Sequence, residues 1–265
     1  MQRGNYAKHA AVWWLGGPGR ESEIAFYSGL AKNYGDKVLV LMCATGEVAS
    51  GLAKNGLRVT GIDIEPEMIA AAQKNRPGHK NPRFRVGDVT ELRLPDKDFD
   101  FIFIGTGDLH HLLTEKEVTA ALTGIYRHLA DRGGLALELV YPQNVSWQTP
   151  RRRYDPPFPP EDGLKTWKFS EGSYDAATMR QRIKQEVFIQ DADRTESFRH
   201  ELEMQYFSRA TLVKLLAAAG FEIKTEYGGY DFSAWQPGAE NWIVECVKIN
   251  GGAGRQSGGE TGGAF

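Results

Sequence analysis

Between Lys37 and Gly134 short apolar runs alternate with helical patterns, and no other feature of the chain limits its fold so strongly. Val38–Cys43 (VLVLMC) is a continuous apolar run, the pattern of a strand covered on both faces of its sheet. Gly46 to Lys54 then reads as a helix, and Arg58–Asp63 as the next strand. Pro66 suits the first turn of a helix running through Met68, Ile69 and Ala72, where a missing N–H costs nothing. Arg83–Val86, Phe99–Ile104 and Leu135–Val140 supply the third, fourth and fifth strands. The helix Glu115–Ala130 separates the last two and is expected to stop at the turn Asp131-Arg132-Gly133-Gly134. Such alternation predicts an α/β fold: a seven-stranded, mostly parallel sheet with helices on both faces.

After Val140 the rhythm breaks. Arg151–Gly163 (RRRYDPPFPPEDG) reads as a Pro/Arg-rich loop. Two polar-interleaved strands, Arg182–Ile189 and Ser197–Met204, flank Asp191–Arg194 as an antiparallel hairpin with one apolar face. Residues 163–207 are therefore expected to form an antiparallel β cap, inserted between the fifth and sixth strands. Its positions Ile183, Val187, Phe198 and Leu202 need a partner surface, because a lone hairpin is marginal in water. The α/β rhythm resumes with the helix Ser208–Ala219, capped by Ser208 and stopped by Gly220, and with strands Phe221–Tyr227 and Trp242–Ile249. The expected division is a helical lid segment at 1–36, including a helix Glu21–Lys32, a core at 37–140, the cap at 141–207, core completion at 208–249 and a disordered glycine-rich tail at 250–265.

Composition removes several classes. Lys+Arg 32 against Asp+Glu 34 leaves a net charge of −2, so no global field attracts nucleic acid or an anionic membrane. The cluster Arg151-Arg152-Arg153 beside Trp147 and Tyr154 reads as a solvated loop or a clamp for a small anionic substrate. No apolar run approaches the ~18 residues that span a bilayer. Two cysteines, Cys43 and Cys246, make no disulfide framework, which points to a reducing, cytoplasmic setting. Neither GxGxxG nor GxxxxGK[ST] occurs, which disfavours dinucleotide dehydrogenases and P-loop nucleotidases.

Open α/β sheets bind ligands at the carboxyl ends of their strands, so the turn Met42-Cys43-Ala44-Thr45-Gly46-Glu47 carries information. Asp63 ends the second strand, where a carboxylate can accept both hydroxyls of a ribose; the alternative is an ordinary strand-end acid. Asp88 follows the third strand, placed either to accept from an adenine amine, with Val89 on the ring, or to cap a turn. These residues carry a resemblance. Val38–Gly46 resembles the first motif of the class I S-adenosylmethionine (SAM)-dependent methyltransferases, Arg58–Met68 their second, and Gly87-Asp88, Phe99–Ile102 and Leu129…Gly133-Gly134 their later landmarks in order. The resemblance covers about residues 20–140 and 208–249 and implies a Rossmann-like core that binds SAM and releases S-adenosylhomocysteine. Within the class, the short N-terminus, the strand-rich insertion and Tyr227–Asp231 are most similar to small-molecule N-methyltransferases, including those acting on amino sugars.

The resemblance implies cofactor contacts from Arg20, Cys43, Ala44, Thr45, Gly46, Asp63, Ile64, Met68, Asp88, Val89, Gly105 and Thr106, and acceptor contacts from Trp14, Trp147 and Tyr230. The chain departs from the family at Val40, where an acid usually meets the methionyl amino group, and at Met42 and Ala44, where glycines are usual. Glu47 and Asp108 are candidates to replace the missing acid, and Ala44 is tolerable if its φ is negative. Methyl transfer needs positioning and, for an amine acceptor, a neutral nucleophile; the segment Gly105–Leu112 (GTGDLHHL) places titratable groups where the methyl would lie. His111 is the first candidate for the base and His110 the second, against the alternative of capping or half-buried histidines. Adjacent histidines without a spaced third ligand make no metal site. The expected function is methylation of a small-molecule acceptor, on an amine nitrogen, with O- or C-methylation or cofactor binding without transfer as alternatives. The cap is expected to shield the acceptor or to mate with a second copy as a homodimer.

Overall fold

The computed structural model describes residues 20–74, 79–141, 151–158, 165–191, 194–239 and 241–249. In chain order these form helix α1 (Glu21–Lys32), strand β1 (Lys37–Leu41), α2 (Glu47–Lys54), β2 (Arg58–Asp63), α3 (Pro66–Lys74), β3 (Arg83–Val86), β4 (Phe99–Ile104), α4 (Glu115–His128) and β5 (Leu129–Leu139). Strands β6 (Arg151–Phe158), β7 (Lys165–Asp175), β8 (Arg180–Asp191) and β9 (Arg194–Gln205) follow, then α5 (Arg209–Ala218), β10 (Phe221–Tyr227) and β11 (Trp242–Lys248). Short 3₁₀ turns occupy Val89–Glu91 and Asp108–His111. Among the described residues no helix is long and apolar enough to cross a membrane.

Seven strands make one sheet in the order β10-β11-β5-β4-β1-β2-β3. Strands β1 to β5 pair in parallel, whereas β11 is antiparallel to both β5 and β10. The period-two alternation of strand side chains divides the core between the two faces. Val38, Val40, Phe101 and Phe103 pack with Phe26, Tyr27 and Leu30 of α1 and with Ala49, Leu52, Ile69 and Ala72 of α2 and α3. Leu39, Leu41, Ile102, Ile104, Leu135 and Leu137 pack on the opposite face with Val118, Leu122 and Ile125 of α4 and Leu212, Leu215 and Leu216 of α5. This is the Rossmann-like arrangement expected from the sequence, with β1 and β4 flanking the point where strand order reverses.

Two elements differ from expectation. Helix α4 ends at His128 and β5 begins at once with Leu129, so Asp131–Gly134 belongs to the strand. The excess residues are absorbed by a register shift, with Phe99 opposite Leu129 but Phe101 opposite Gly134. Gly133 and Gly134 serve close packing and not a helix stop: a Cβ on Gly134 would lie 2.4 Å from the ring of Tyr34. The Pro/Arg-rich Arg151–Gly163, expected as a loop, supplies β6 over Arg151–Phe158. Proline is tolerated there because β6 is an edge strand and its pairing with β7 shifts register between Asp155 and Phe158.

The four cap strands form a separate antiparallel sheet in the order β6-β7-β8-β9. Ile183 faces Leu202 and Val187 faces Phe198 across the β8–β9 register. The cap is fastened to the core near the loop that follows β4. Gln205, at the end of β9, accepts a hydrogen bond through its carbonyl from His110 Nδ1 at 3.0 Å, and Arg180 Nη2 donates to the Leu113 carbonyl at 3.2 Å.

Candidate active site

A cavity enclosing about 960 Å³, counted to its open mouth, lies at the carboxyl ends of β1, β2, β3 and β4. Each strand end contributes for a local reason. After β1 the chain turns through Met42 and Ala44, both in the left-handed region at φ 56° and 46°, before Gly46 at φ 76° starts α2. Ala44 thus occupies the conformation in which glycine is usual, contrary to the negative φ that would make it unstrained. The turn is held by Asp63, whose Oδ2 accepts from Ala44 N at 2.8 Å and whose Oδ1 accepts from Glu65 N at 3.0 Å. Burial raises the Asp63 pKa against the lowering effect of those N–H groups. Ile62, Ile64, Met68, Gly87 and Val89 line the same region, giving an apolar slot beside a carboxylate with spare lone pairs.

Beyond β4 the loop is shaped by a buried carboxylate. Glu138 of β5 accepts from Tyr27 Oη at 2.9 Å, Tyr230 Oη at 2.8 Å and Thr106 N at 2.9 Å. The last bond anchors consecutive left-handed residues, Thr106 at φ 58° and Gly107 at φ 74°, which swing the 3₁₀ turn Asp108–His111 back over the cavity. Within that turn the two histidines diverge. His110 is buried; its Nδ1 donates to Gln205 O, so its Nε2 is the acceptor of the 3.0 Å bond from Val140 N. With both nitrogens engaged and burial pressing its pKa down to about 4, His110 is a neutral structural link and not a base. His111 lines the cavity, half-buried, with Nε2 4.0 Å from Asp108 Oδ1. Desolvation lowers its pKa, which keeps the ring neutral with a nitrogen lone pair open to the cavity.

Arg20, just ahead of α1, lines the cavity and pairs with Glu23 at 2.9 Å and with Glu47 at 3.5 Å, while Nη1 also donates to Thr106 Oγ1 at 3.1 Å. Of the residues expected at the cofactor, Arg20, Ala44, Asp63, Ile64, Met68, Val89 and Thr106 line the cavity together. Cys43, Thr45, Gly46, Asp88 and Gly105 stand behind that lining: Thr45 and Gly105 are buried, Gly46 caps α2, and Asp88 Oδ1 accepts from Thr90 N at 2.8 Å and so caps the 3₁₀ turn. Tyr230 is turned toward Glu138 and packs against Phe26 and Tyr27. Trp14 and Trp147 lie outside the described residues. The sequence reading did not assign Met42, Ile62, Glu65, Gly87 or Leu202 to the site, and it singled out Leu202 only as a cap residue in search of a surface.

These features fit an adenosyl ligand: a strand-end carboxylate with free lone pairs, an apolar slot, small Gly87, and a charged end around Arg20 and Asp108. Comparison with known proteins agrees. The family described as "Methyltransferase domain" matches residues 38–133. YqeM of Bacillus subtilis (strain 168), which carries a methyltransferase name, is 24% identical over 205 residues, 77% of this chain and 80% of its own. A SAM-dependent methyltransferase of Clostridium acetobutylicum ATCC 824 superposes with a TM-score of 0.74 at 16% identity, over 86% of this chain and 90% of its own. SAM-bound CalS10, an amino pentose methyltransferase from Micromonospora echinaspora, gives 0.70 at 22% identity, over 91% and 96%. Residues 38–133 are therefore a methyltransferase domain, and the fold is that of the SAM-dependent class. The chain thus carries a methyltransferase domain on a fold that it shares with SAM-dependent enzymes.

Proposed function

We propose that the protein methylates an amine nitrogen of a small molecule, with His111 as the group that receives the acceptor's proton. The observation that carries this reading is the placing of Asp63 and His111 on one cavity, at the ends of β2 and β4 on either side of β1. The bound cofactor would supply an electrophilic methyl on a sulfonium, to be taken by the acceptor's lone pair as the carbon–sulfur bond breaks. Asp63, held by two backbone N–H groups, would receive the ribose, and Ile64, Met68 and Val89 would enclose the base. An amine of pKa about 9–10 loses about 3–4 kcal/mol to protonation at pH 7, so a neutral imidazole beside it shortens the path to the reactive form. Leu202 of the cap lines the cavity and supplies an apolar surface on the acceptor side. KedS8, a sugar N-methyltransferase of similar fold, supports an amine acceptor by analogy of fold.

Calorimetry with S-adenosylhomocysteine tests the cofactor half of this reading. A single site per chain is expected, and Asp63→Ala should weaken it at least tenfold; a wild-type protein that binds neither form of the cofactor would refute it. Transfer of labelled methyl to an amino sugar, and not to its hydroxyl counterpart, tests the acceptor half.

A further inference from the structure

Three carboxylates, Glu23, Glu138 and Asp63, lie close enough to Asp108 to act on its charge, and each has protein donors. Glu23 accepts from Arg20 Nη1 at 2.9 Å and from Thr106 Oγ1 at 3.4 Å. Glu138 accepts from two tyrosines and one backbone N–H. Asp63 accepts from Ala44 N and Glu65 N. Asp108 differs. It lines the cavity, half-buried, yet no described residue donates a hydrogen bond to its side chain. Its nearest partner, His111 Nε2 at 4.0 Å, is beyond hydrogen-bond distance.

A half-buried carboxylate among other acids is costly unless a cation meets it. The nearby guanidinium is largely committed, since Arg20 spends Nη1 on Glu23 and Thr106 and Nε on Glu47, which among the described residues leaves Nη2 for an anion. Burial and the nearby Asp63, Glu138 and Glu23 raise the Asp108 pKa, so its carboxylate is held ionised where a cation meets it, and Arg20 with Asp108 in that state forms the complement of an amino-acid zwitterion. Glu47 is less suited to a cation there, because its side chain is 41% exposed and it pairs with Arg20 from outside the cavity lining. Val40 contributes no charge, being 4% exposed within the core against α1.

We propose that Asp108 is the residue that binds the ammonium of the cofactor's methionyl end, with Arg20 turned to its carboxylate. The proposal rests on the cofactor reading above and assigns to the β4 loop a role that the first-motif turn leaves open at Val40. Asp108 is thus a specificity residue for the amino-acid half of the ligand, as Asp63 is for the ribose half.

The test separates the two halves by comparing S-adenosylhomocysteine with 5′-methylthioadenosine, which lacks the amino-acid end. Asp108→Asn should weaken S-adenosylhomocysteine at least tenfold, about 1.4 kcal/mol, and leave methylthioadenosine within twofold. Asp108→Ala should do the same, which removes any hydrogen bond the Asn oxygen supplies, and urea midpoints should show both variants folded. Asp63→Ala should weaken both ligands. Unchanged S-adenosylhomocysteine affinity in Asp108→Ala would overturn the proposal, as would equal weakening of both ligands. If the wild type binds neither, the cofactor reading itself fails, before any Asp108 variant is needed.

Discussion

The parallel sheet and the cap are stabilised by different physics. Each face of the parallel sheet buries a continuous set of large side chains, with Phe101, Phe103, Leu39 and Leu137 fully enclosed. A fully buried side chain of that size contributes roughly 1.5–3 kcal/mol, so the core supports strained turns such as Met42–Ala44. The cap buries far less. Among its described residues the hydrophobic cluster is Val187 and Phe198 with Ile189 beside them, and its strands are joined across the surface by Arg182–Glu203 at 3.1 Å, Lys184–Glu201 at 3.5 Å and Arg199–Glu186 at 3.0 Å. Exposed pairs of this kind contribute about 0–1 kcal/mol each. The cap therefore leans on its seam with the core, where His110 meets Gln205 O and Arg180 meets Leu113 O. The proposed function follows the same division: the core carries Asp63 and the apolar slot, and His111 stands beside the seam.

The largest effect is expected from the histidine on the open side of that seam. His111→Asn should lower kcat by about 10²–10⁴, the range for general acid–base catalysis. Affinity for S-adenosylhomocysteine should change little, because Asp63 and the apolar slot remain. With an amine acceptor the loss should shrink at high pH, where the nucleophile is already neutral. Steady-state rates across pH 6–10 (about the span an amine titrates) provide the check. Undiminished turnover at neutral pH would make the cavity a positioning device alone and erase the functional contrast between seam and core.

A smaller effect, on stability, is expected from the histidine that faces the other way. His110 joins Gln205 O of β9 to Val140 N after β5, and its ring lies 4.4 Å from that of Tyr206. His110→Asn should cost about 2–3 kcal/mol at pH 7 through unsatisfied buried partners. The penalty should also depend on pH. Unfolded His110 takes up a proton near pH 6.5, whereas the folded residue resists protonation down to about 4. Its contribution is therefore complete above pH 6.5 and is lost as pH falls through the window to 4, by about 3 kcal/mol. Urea unfolding should show the difference between wild type and variant narrowing from pH 7 to pH 4. A constant difference would mean that His110 is not held neutral by the seam.

The same contrast explains what was legible in the sequence. Strands β1 to β4, α1 and α5 stand close to where apolar periodicity and capping residues place them, because burial on two faces writes a strong pattern. The β8–β9 pairing was legible from alternation, and Leu202 from its need for a surface. The seam was not. Its fasteners are the carbonyls of Gln205 and Leu113 and the N–H of Val140, backbone groups that every residue possesses. The resemblance ranked His111 above His110, but the structural role of His110 was not legible, since adjacent residues in one 3₁₀ turn point apart for geometric reasons that composition does not record. Asp63 and Arg20 could be read from position, whereas the lack of donors at Asp108 required the neighbours in place.

The smallest effect concerns strain in the core itself. Ala44 stands at φ 46° while donating its N–H to Asp63, and a non-glycine residue in the left-handed region costs roughly 1–2 kcal/mol. Glycine would remove that cost but would raise the entropy of the unfolded chain, worth about 0.4–1 kcal/mol in the opposite direction. Ala44→Gly should therefore stabilise the protein by about 0.5–1 kcal/mol, a rise of about 2 °C in Tm for a chain of this size. Met42, at φ 56°, is a poorer test because its side chain also lines the cavity. Thermal unfolding, with and without 5′-methylthioadenosine, separates strain from binding: the unliganded Tm should rise and the ligand's affinity should stay within twofold, since the N–H to Asp63 is retained. A lower Tm in Ala44→Gly would show that the methyl group packs more favourably than the backbone is strained, and that the core does not carry strain at this turn.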